Sequence, residues 1–159
     1  STDKLSISFS SEQDSIQKDF MLPLFDLDVE LMSIPVMDHH IHILMDSGLF
    51  SENMKQLKLF GDNICFQCEK DNISFCSPQD DNGKMNVCIP TSELIQYTHN
   101  QSIQMSFSTN ILNQVCSFQK LNKYISLSIT DAFPLNITLQ IDPESSDARI
   151  AFYIAPLIE

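Results

Sequence analysis

The chain has 159 residues, 43% of them hydrophobic, with 21 acidic against 9 basic side chains, a formal charge of −12 and a pI near 4.5. This is enough apolar material for one domain with a real core. The charge excludes nucleic-acid affinity spread over the whole surface and attraction to anionic membranes. No apolar run approaches membrane-spanning length, and the polar start STDKLSISFS is unlike a signal peptide, so a soluble intracellular protein is expected.

In chain order, Lys4 to Ser10 alternates Leu5, Ile7 and Phe9 with polar residues, which predicts a strand with one buried face. Leu22 to Pro35, LPLFDLDVELMSIP, cannot form a good helix across Pro23 and Pro35 and alternates too little for a half-buried strand. It reads as an extended connector that displays Leu24, Leu27, Leu31, Met32 and Ile34 beside Asp26, Asp28 and Glu30. Exposed apolar side chains of this kind point to a partner. Asp38, His40 and His42 share one face of the next strand, and the expectation is an exposed or edge-strand histidine row.

An internal repeat follows. Met45–Leu59 laid over Phe107–Leu121 aligns Leu49-Phe50 with Ile111-Leu112 and Lys58-Leu59 with Lys120-Leu121. Both copies follow an alternating strand, HIHILM or SIQMSF, and both open a helix with capping residues, Asp46-Ser47 or Ser108-Thr109. Phe50, Met54 and Leu57 recur at helical spacing in the first helix, and Ile111, Leu112, Val115 and Phe118 in the second, so each has a core face. Strands are predicted at 62–69, 72–77 and 84–90 after the first helix, and at 124–130, 133–142 and 148–155 after the second. Asn82-Gly83 supplies a hairpin turn, and Thr91 to Asn100 reads as a polar connection between the halves. Two strand-helix-three-strand repeats with both helices on one face of a sheet make an α+β domain.

Candidate chemistry is sparse. The odd count of five cysteines in a chain without secretory features makes reduced thiols the default. Cys65 and Cys68 spell CxxC, but residues three apart on a strand face opposite ways, and Cys76, Cys88 and Cys116 do not supply a second pair at metal spacing. No metal site or cofactor is expected. The three glycines, Gly48, Gly61 and Gly83, form no phosphate cradle, and GxSxG and HExxH are absent. The expectation is a protein that is not an enzyme.

Several segments together resemble the eukaryotic sliding clamps of the proliferating cell nuclear antigen (PCNA) family. They are DLDVE followed by IP, DSGLF at 46–50, GD at 61–62, CEKDNISF at 68–75, ISLSITDAFPL at 125–135 and FYIAPLIE at 152–159. The resemblance implies a DNA-clamp (processivity-fold) domain, with residues 1–18 as the last strand of a missing first clamp domain, 19–35 as the interdomain connector and 36–159 as the C-terminal domain. It implies a replication and repair scaffold and DNA polymerase processivity factor, nuclear, that docks polymerases, nucleases, ligases and the clamp loader through their clamp-binding motifs. Met32, Ile34, Pro35, Pro134, Tyr153, Ala155 and Pro156 would form its partner pocket, and Leu157 to Glu159 would pair with the peptide backbone. Leu5, Ile7 and Phe9 on one side, and Lys84, Met85 and Val87 on the other, would form the subunit contact of a homo- or hetero-oligomeric ring. Lys70 matches the family's ubiquitin or SUMO position.

The inner face departs from the family. Its basic helix positions hold Glu52, Lys55, Asn110 and Ser117 here, with Lys58, Lys120 and Lys123 near the helix ends. Duplex DNA would be enclosed topologically with weak direct contact, because attraction scales with the phosphates neutralised. Two alternatives stay open: a noncanonical clamp-like adaptor that docks proteins without tracking DNA, favoured by Glu52, Asn110 and Ser117, and a subunit of a checkpoint-type heterotrimeric clamp, which would share the fold but against which the intact DLDVE and FYIAPLIE motifs count.

Overall fold

The computed structural model describes residues 3–10, 17–25, 38–79, 83–142 and 147–158. Its contacts divide into two compact units, Ser1–Val36 and Met37–Glu159. Asp26, Asp28, Glu30 and the connector residues Met32, Ile34 and Pro35 lie outside the described residues.

The first unit is an antiparallel hairpin. Strand β1 (Lys4–Ser10) forms as the alternation predicts, but it pairs with a second strand, β2 (Gln17–Pro23), most of which lies in the span 19–35 expected to be the connector. The register sets Leu5 opposite Leu22 and Ile7 opposite Phe20, and the Phe9 and Phe20 rings meet edge-on at 5.9 Å. This apolar face was expected to be buried. Among the described residues of the unit it is open, with Leu5 48% and Phe9 60% exposed.

The second unit is α+β. It runs β3 (Ile41–Asp46), α1 (Ser47–Leu57), β4 (Asn63–Cys68), β5 (Asn72–Cys76), β6 (Asn86–Pro90), β7 (Gln96–His99), β8 (Ile103–Ser108), α2 (Thr109–Cys116), β9 (Tyr124–Ile129), β10 (Leu135–Gln140) and β11 (Arg149–Ile154). The expectation of one sheet is corrected, since these strands form two: β11-β10-β9-β3-β7 and β6-β5-β4-β8. The strand before each helix crosses to the other half, β3 pairing with β9 and β8 with β4.

Strand β7 lies in the segment expected to be a polar connection. Its one large apolar side chain, Tyr97, packs against the core and donates its hydroxyl to the Glu69 carbonyl at 2.7 Å. Tertiary pairing with β3 thus outweighs composition. The same pairing corrects the histidine row, because β3 lies between β9 and β7 and is no edge.

The helices are positioned by their starts. Asp46 caps α1, its carboxylate accepting the Leu49 N–H at 2.9 Å, and Phe50, Met54 and Leu57 are buried as the spacing predicts. Ser108 makes no capping bond. Instead Thr109 ties α2 to the turn before β4, its N–H donating to the Asp62 carbonyl and its hydroxyl to the Gly61 carbonyl, both at 2.8 Å. α2 buries Leu112, Val115 and Cys116, but Ile111 and Phe118 are 45% and 39% exposed, against expectation. The helix ends at Cys116, so Phe118 has left the helical register and packs tilted against Phe152 with ring centroids 5.3 Å apart. Phe50, Phe66, Phe75 and Phe107 form a linked aromatic core between α1 and the four-stranded sheet, with ring centroids 4.6–6.1 Å apart.

Candidate docking site and helix face

Four of the residues expected in a partner pocket fall at one corner of the five-stranded sheet. Pairing of Leu135 with Ile154 points both inward, and they are buried. Tyr153 and Ala155 therefore face outward, and Pro134 precedes Leu135 on the same outer side; all three are exposed. The turn before β10 is closed by the Phe133 N–H donating to the Thr130 carbonyl at 3.1 Å, and it holds Ala132 at φ 61°, a left-handed conformation costly for a residue with a Cβ. That turn lifts Phe133, 43% exposed, beside Pro134. Phe133 was missed, although its place in DAFPL next to a proline was the available signal.

Past β11 the chain runs through the half-buried Pro156 to Leu157, whose N–H donates to the Ser106 carbonyl of β8 at 2.8 Å. A groove of about 390 Å³ opens here between Ser106, Asp131, Ala132, Pro156 and Ile158. Of the segment Leu157 to Glu159 expected to pair with a peptide backbone, Glu159 lies outside the described residues and Leu157 has its N–H engaged. β8 is an edge strand and already takes that donor, which leaves the fully exposed Ile158 as the next residue able to pair.

On the outer face of the same sheet, one cross-strand row runs Thr98, His42, Ser128, Asn136, Tyr153. His42 Nδ1 and the Ser128 hydroxyl are 3.1 Å apart, and His39 Nδ1 meets the Thr130 hydroxyl at the same distance. Burial, then the neighbouring His39, hold the His42 imidazole below its ordinary value, so it is a neutral hydrogen-bonding group at physiological pH.

On the helix face Lys55, Lys58, Lys120 and Lys123 are all exposed, and so are Glu52, Asn110 and Ser117. Glu52 accepts from Gln56 at 3.2 Å, and the two side a shallow depression of about 440 Å³ with Lys55 and Leu59. Lys123 places its ammonium 5.4 Å from the Tyr124 ring centroid. Leu49, Leu59, Ile111 and Leu121 are exposed among these charges. Lys70 stands exposed in the turn between β4 and β5. Lys84, Met85 and Val87 lie on and beside β6, an edge strand, with Lys84 exposed and the other two half-buried against the core. Cys65 and Cys68 face opposite ways, and burial pushes the Cys68 thiol up to about 12, a protonated core group.

Among the described residues no helix is long and apolar enough to cross a membrane. Comparison with protein families gives the class of this domain. Residues 33–157 match the family described as proliferating cell nuclear antigen, C-terminal domain, so this is a sliding-clamp domain. The match spans well over half the chain, which belongs to the proliferating cell nuclear antigen family. Clamps of this family are non-enzymatic scaffolds of DNA replication and repair that assemble into rings around DNA and dock protein partners.

Proposed function

We propose that this chain is a replication and repair scaffold that docks clamp-binding peptides at the Pro134, Tyr153, Ala155 and Pro156 corner, with Met32, Ile34 and Pro35 supplying the connector side, and that it acts as a DNA polymerase processivity factor in the nucleus. The observation that carries the reading is the convergence of these four residues, distant from the connector in sequence, on one exposed corner beside a groove. An aromatic-plus-aliphatic plug suits such a site, and Ile158 is placed to extend a strand along the peptide. Polymerases, nucleases, ligases and the clamp loader are the partner classes. Truncating a buried anchor at an interface costs about 1–4 kcal/mol, so Tyr153→Ala is expected to weaken a clamp-binding peptide roughly tenfold or more. Titration calorimetry with and without the substitution tests this; equal affinities would move the site elsewhere.

The ring contact in this reading joins the open edge of the β1–β2 hairpin of one copy to the open edge of β6 in another, with Leu5, Ile7 and Phe9 facing the joint from one side and Lys84, Met85 and Val87 from the other. Lys70, exposed at a turn, is the candidate attachment site for ubiquitin or SUMO. A second reading, a clamp-like adaptor or checkpoint-type subunit that docks proteins with little DNA contact, is favoured by the exposure of Glu52, Asn110 and Ser117 where the family carries cations.

A further inference from the structure

The outer face of the four-stranded sheet carries two thiols, Cys65 and Cys76, that neither the docking corner nor the ring contact uses. Strands β4 and β5 are in antiparallel register with Cys65 directly opposite Cys76. Phe66 and Phe75, the next pair along, point into the core at 1% and 0% exposure, so both thiols lie on the opposite, outer face. Both are partly exposed. The turn fixes the kind of pair: the Glu69 N–H donates to the Asn72 carbonyl at 2.9 Å, which makes Gln67–Ser74 and Cys65–Cys76 the hydrogen-bonded pairs of the ladder. In such pairs the Cα atoms lie about 5.5 Å apart. A disulfide spans about 4.4–6.8 Å between Cα atoms.

The sulfur of Cys76 is accessible from this side. It donates to Asn86 Oδ1 at 3.0 Å and reaches Gln67 Oε1 of β4 at 3.9 Å, on the strand that carries Cys65. A groove of about 580 Å³, bounded by Cys65, Gln67, Cys76, Pro78, Lys84 and Asn86, admits a small oxidant. Cys88, the other thiol of the face, stands opposite Ser74, which puts it on a diagonal to Cys76. Diagonal neighbours are about 7–8 Å apart, beyond disulfide reach.

We propose that Cys65 and Cys76 are a peroxide-sensitive pair that closes into a reversible cross-strand disulfide. One thiolate attacks hydrogen peroxide, takes one oxygen to become a sulfenic acid and releases hydroxide. The second thiolate attacks that sulfur and expels the other oxygen as hydroxide. With the two thiol protons the balance is two thiols plus one peroxide to one disulfide plus two waters, the sulfurs giving up two electrons. Side-chain beta carbons of directly opposed strand residues stand about 4.5–5.5 Å apart, whereas a relaxed disulfide holds them at about 3.8 Å. The bridge therefore pulls the strands together and is readily reduced. It ties the base of the hairpin whose turn presents Lys70. Burial pushes the Cys76 thiol up, with Lys84 opposing and Cys88 adding to the rise, so closure accelerates as pH rises.

The test is a hydrogen peroxide pulse on the reduced full chain, followed by alkylation and peptide mapping without reductant. The expected result is one linked peptide joining Cys65 to Cys76, joint loss of both thiols, reversal by dithiothreitol and a rate that climbs with pH. Cys88→Ser should leave the link in place, and Cys65→Ser should abolish it. A link from Cys76 to Cys88, conversion of Cys76 to sulfinic acid without a link, or full alkylation of both thiols after the pulse would overturn the proposal, and each is readable on the unsubstituted chain.

Discussion

Asn113 of α2 donates through its side-chain nitrogen to the Met54 carbonyl of α1 at 3.1 Å, and to the Thr109 carbonyl of its own helix at 2.9 Å. An asparagine within a helix is a poor choice on propensity alone. Here it is a polar link across the helix pair. Asn113→Ala removes both bonds and leaves the Met54 carbonyl without this donor. Because the Met54 carbonyl keeps the Lys58 N–H, the expected loss is about 0.5–1.5 kcal/mol, read as a lower urea midpoint with unchanged slope; an unaltered midpoint would mean that apolar packing alone sets the helix pair.

For assembly, the structure decides where a proline belongs. The Leu24 N–H donates to the Asp3 carbonyl at 2.7 Å, so the alternating ladder turns the backbone groups of Ile7 toward β2, inside the hairpin. A proline at Ile7 would damage the hairpin itself. On β6 the Met85 carbonyl accepts from Ser77 and the Thr91 N–H donates to Asp71, which leaves the N–H groups of Asn86 and Cys88 pointing off the sheet edge. Asn86→Pro is expected to shift sedimentation velocity profiles toward smaller species. Ser6→Pro on β1 and Met21→Pro on β2 then separate the hairpin's two outer edges, since only the one that pairs should respond. Profiles identical for all three substitutions would rule out strand pairing as the contact.

DNA contact is expected to be weak. With Lys55 the lone cation at the four matched helix positions, few phosphates are neutralised, and the slope of log affinity against log salt is roughly 0.9 per phosphate. Anisotropy with linear duplex should show little binding at physiological salt and little change for Lys55→Ala. Glu52→Arg, Asn110→Arg and Ser117→Lys together should raise affinity and steepen the salt slope; tight, salt-sensitive binding by the unsubstituted chain would contradict this reading.

Acid sensitivity follows from His42. Its imidazole is held below its ordinary value by burial and by His39, so the unfolded chain takes up the proton first. The stability it contributes is complete above roughly pH 6.5, the unfolded value, and falls as pH drops from there toward the folded value. Chemical denaturation between about pH 7.5 and 5 should show His42→Asn losing less stability on acidification than the parent chain. Parallel curves would mean that the neighbouring imidazole or the carboxylates set the slope.

Local order was legible in the residue pattern. Alternation at Ile41, Ile43 and Met45 and helical spacing at Phe50, Met54 and Leu57 specify which face each element buries, because side-chain direction along a strand or helix is fixed by backbone geometry. The separated motifs, DLDVE through FYIAPLIE, were likewise legible as family membership. Edges were not. That Leu157 closes onto Ser106, that Gln96–His99 is a strand, that β3 is interior and that Cys65 stands opposite Cys76 all depend on which strands meet across long sequence separations. Backbone groups pair without regard to side-chain identity, so no residue pattern announces the partner. Only the packing of the two sheets against the helices selects it.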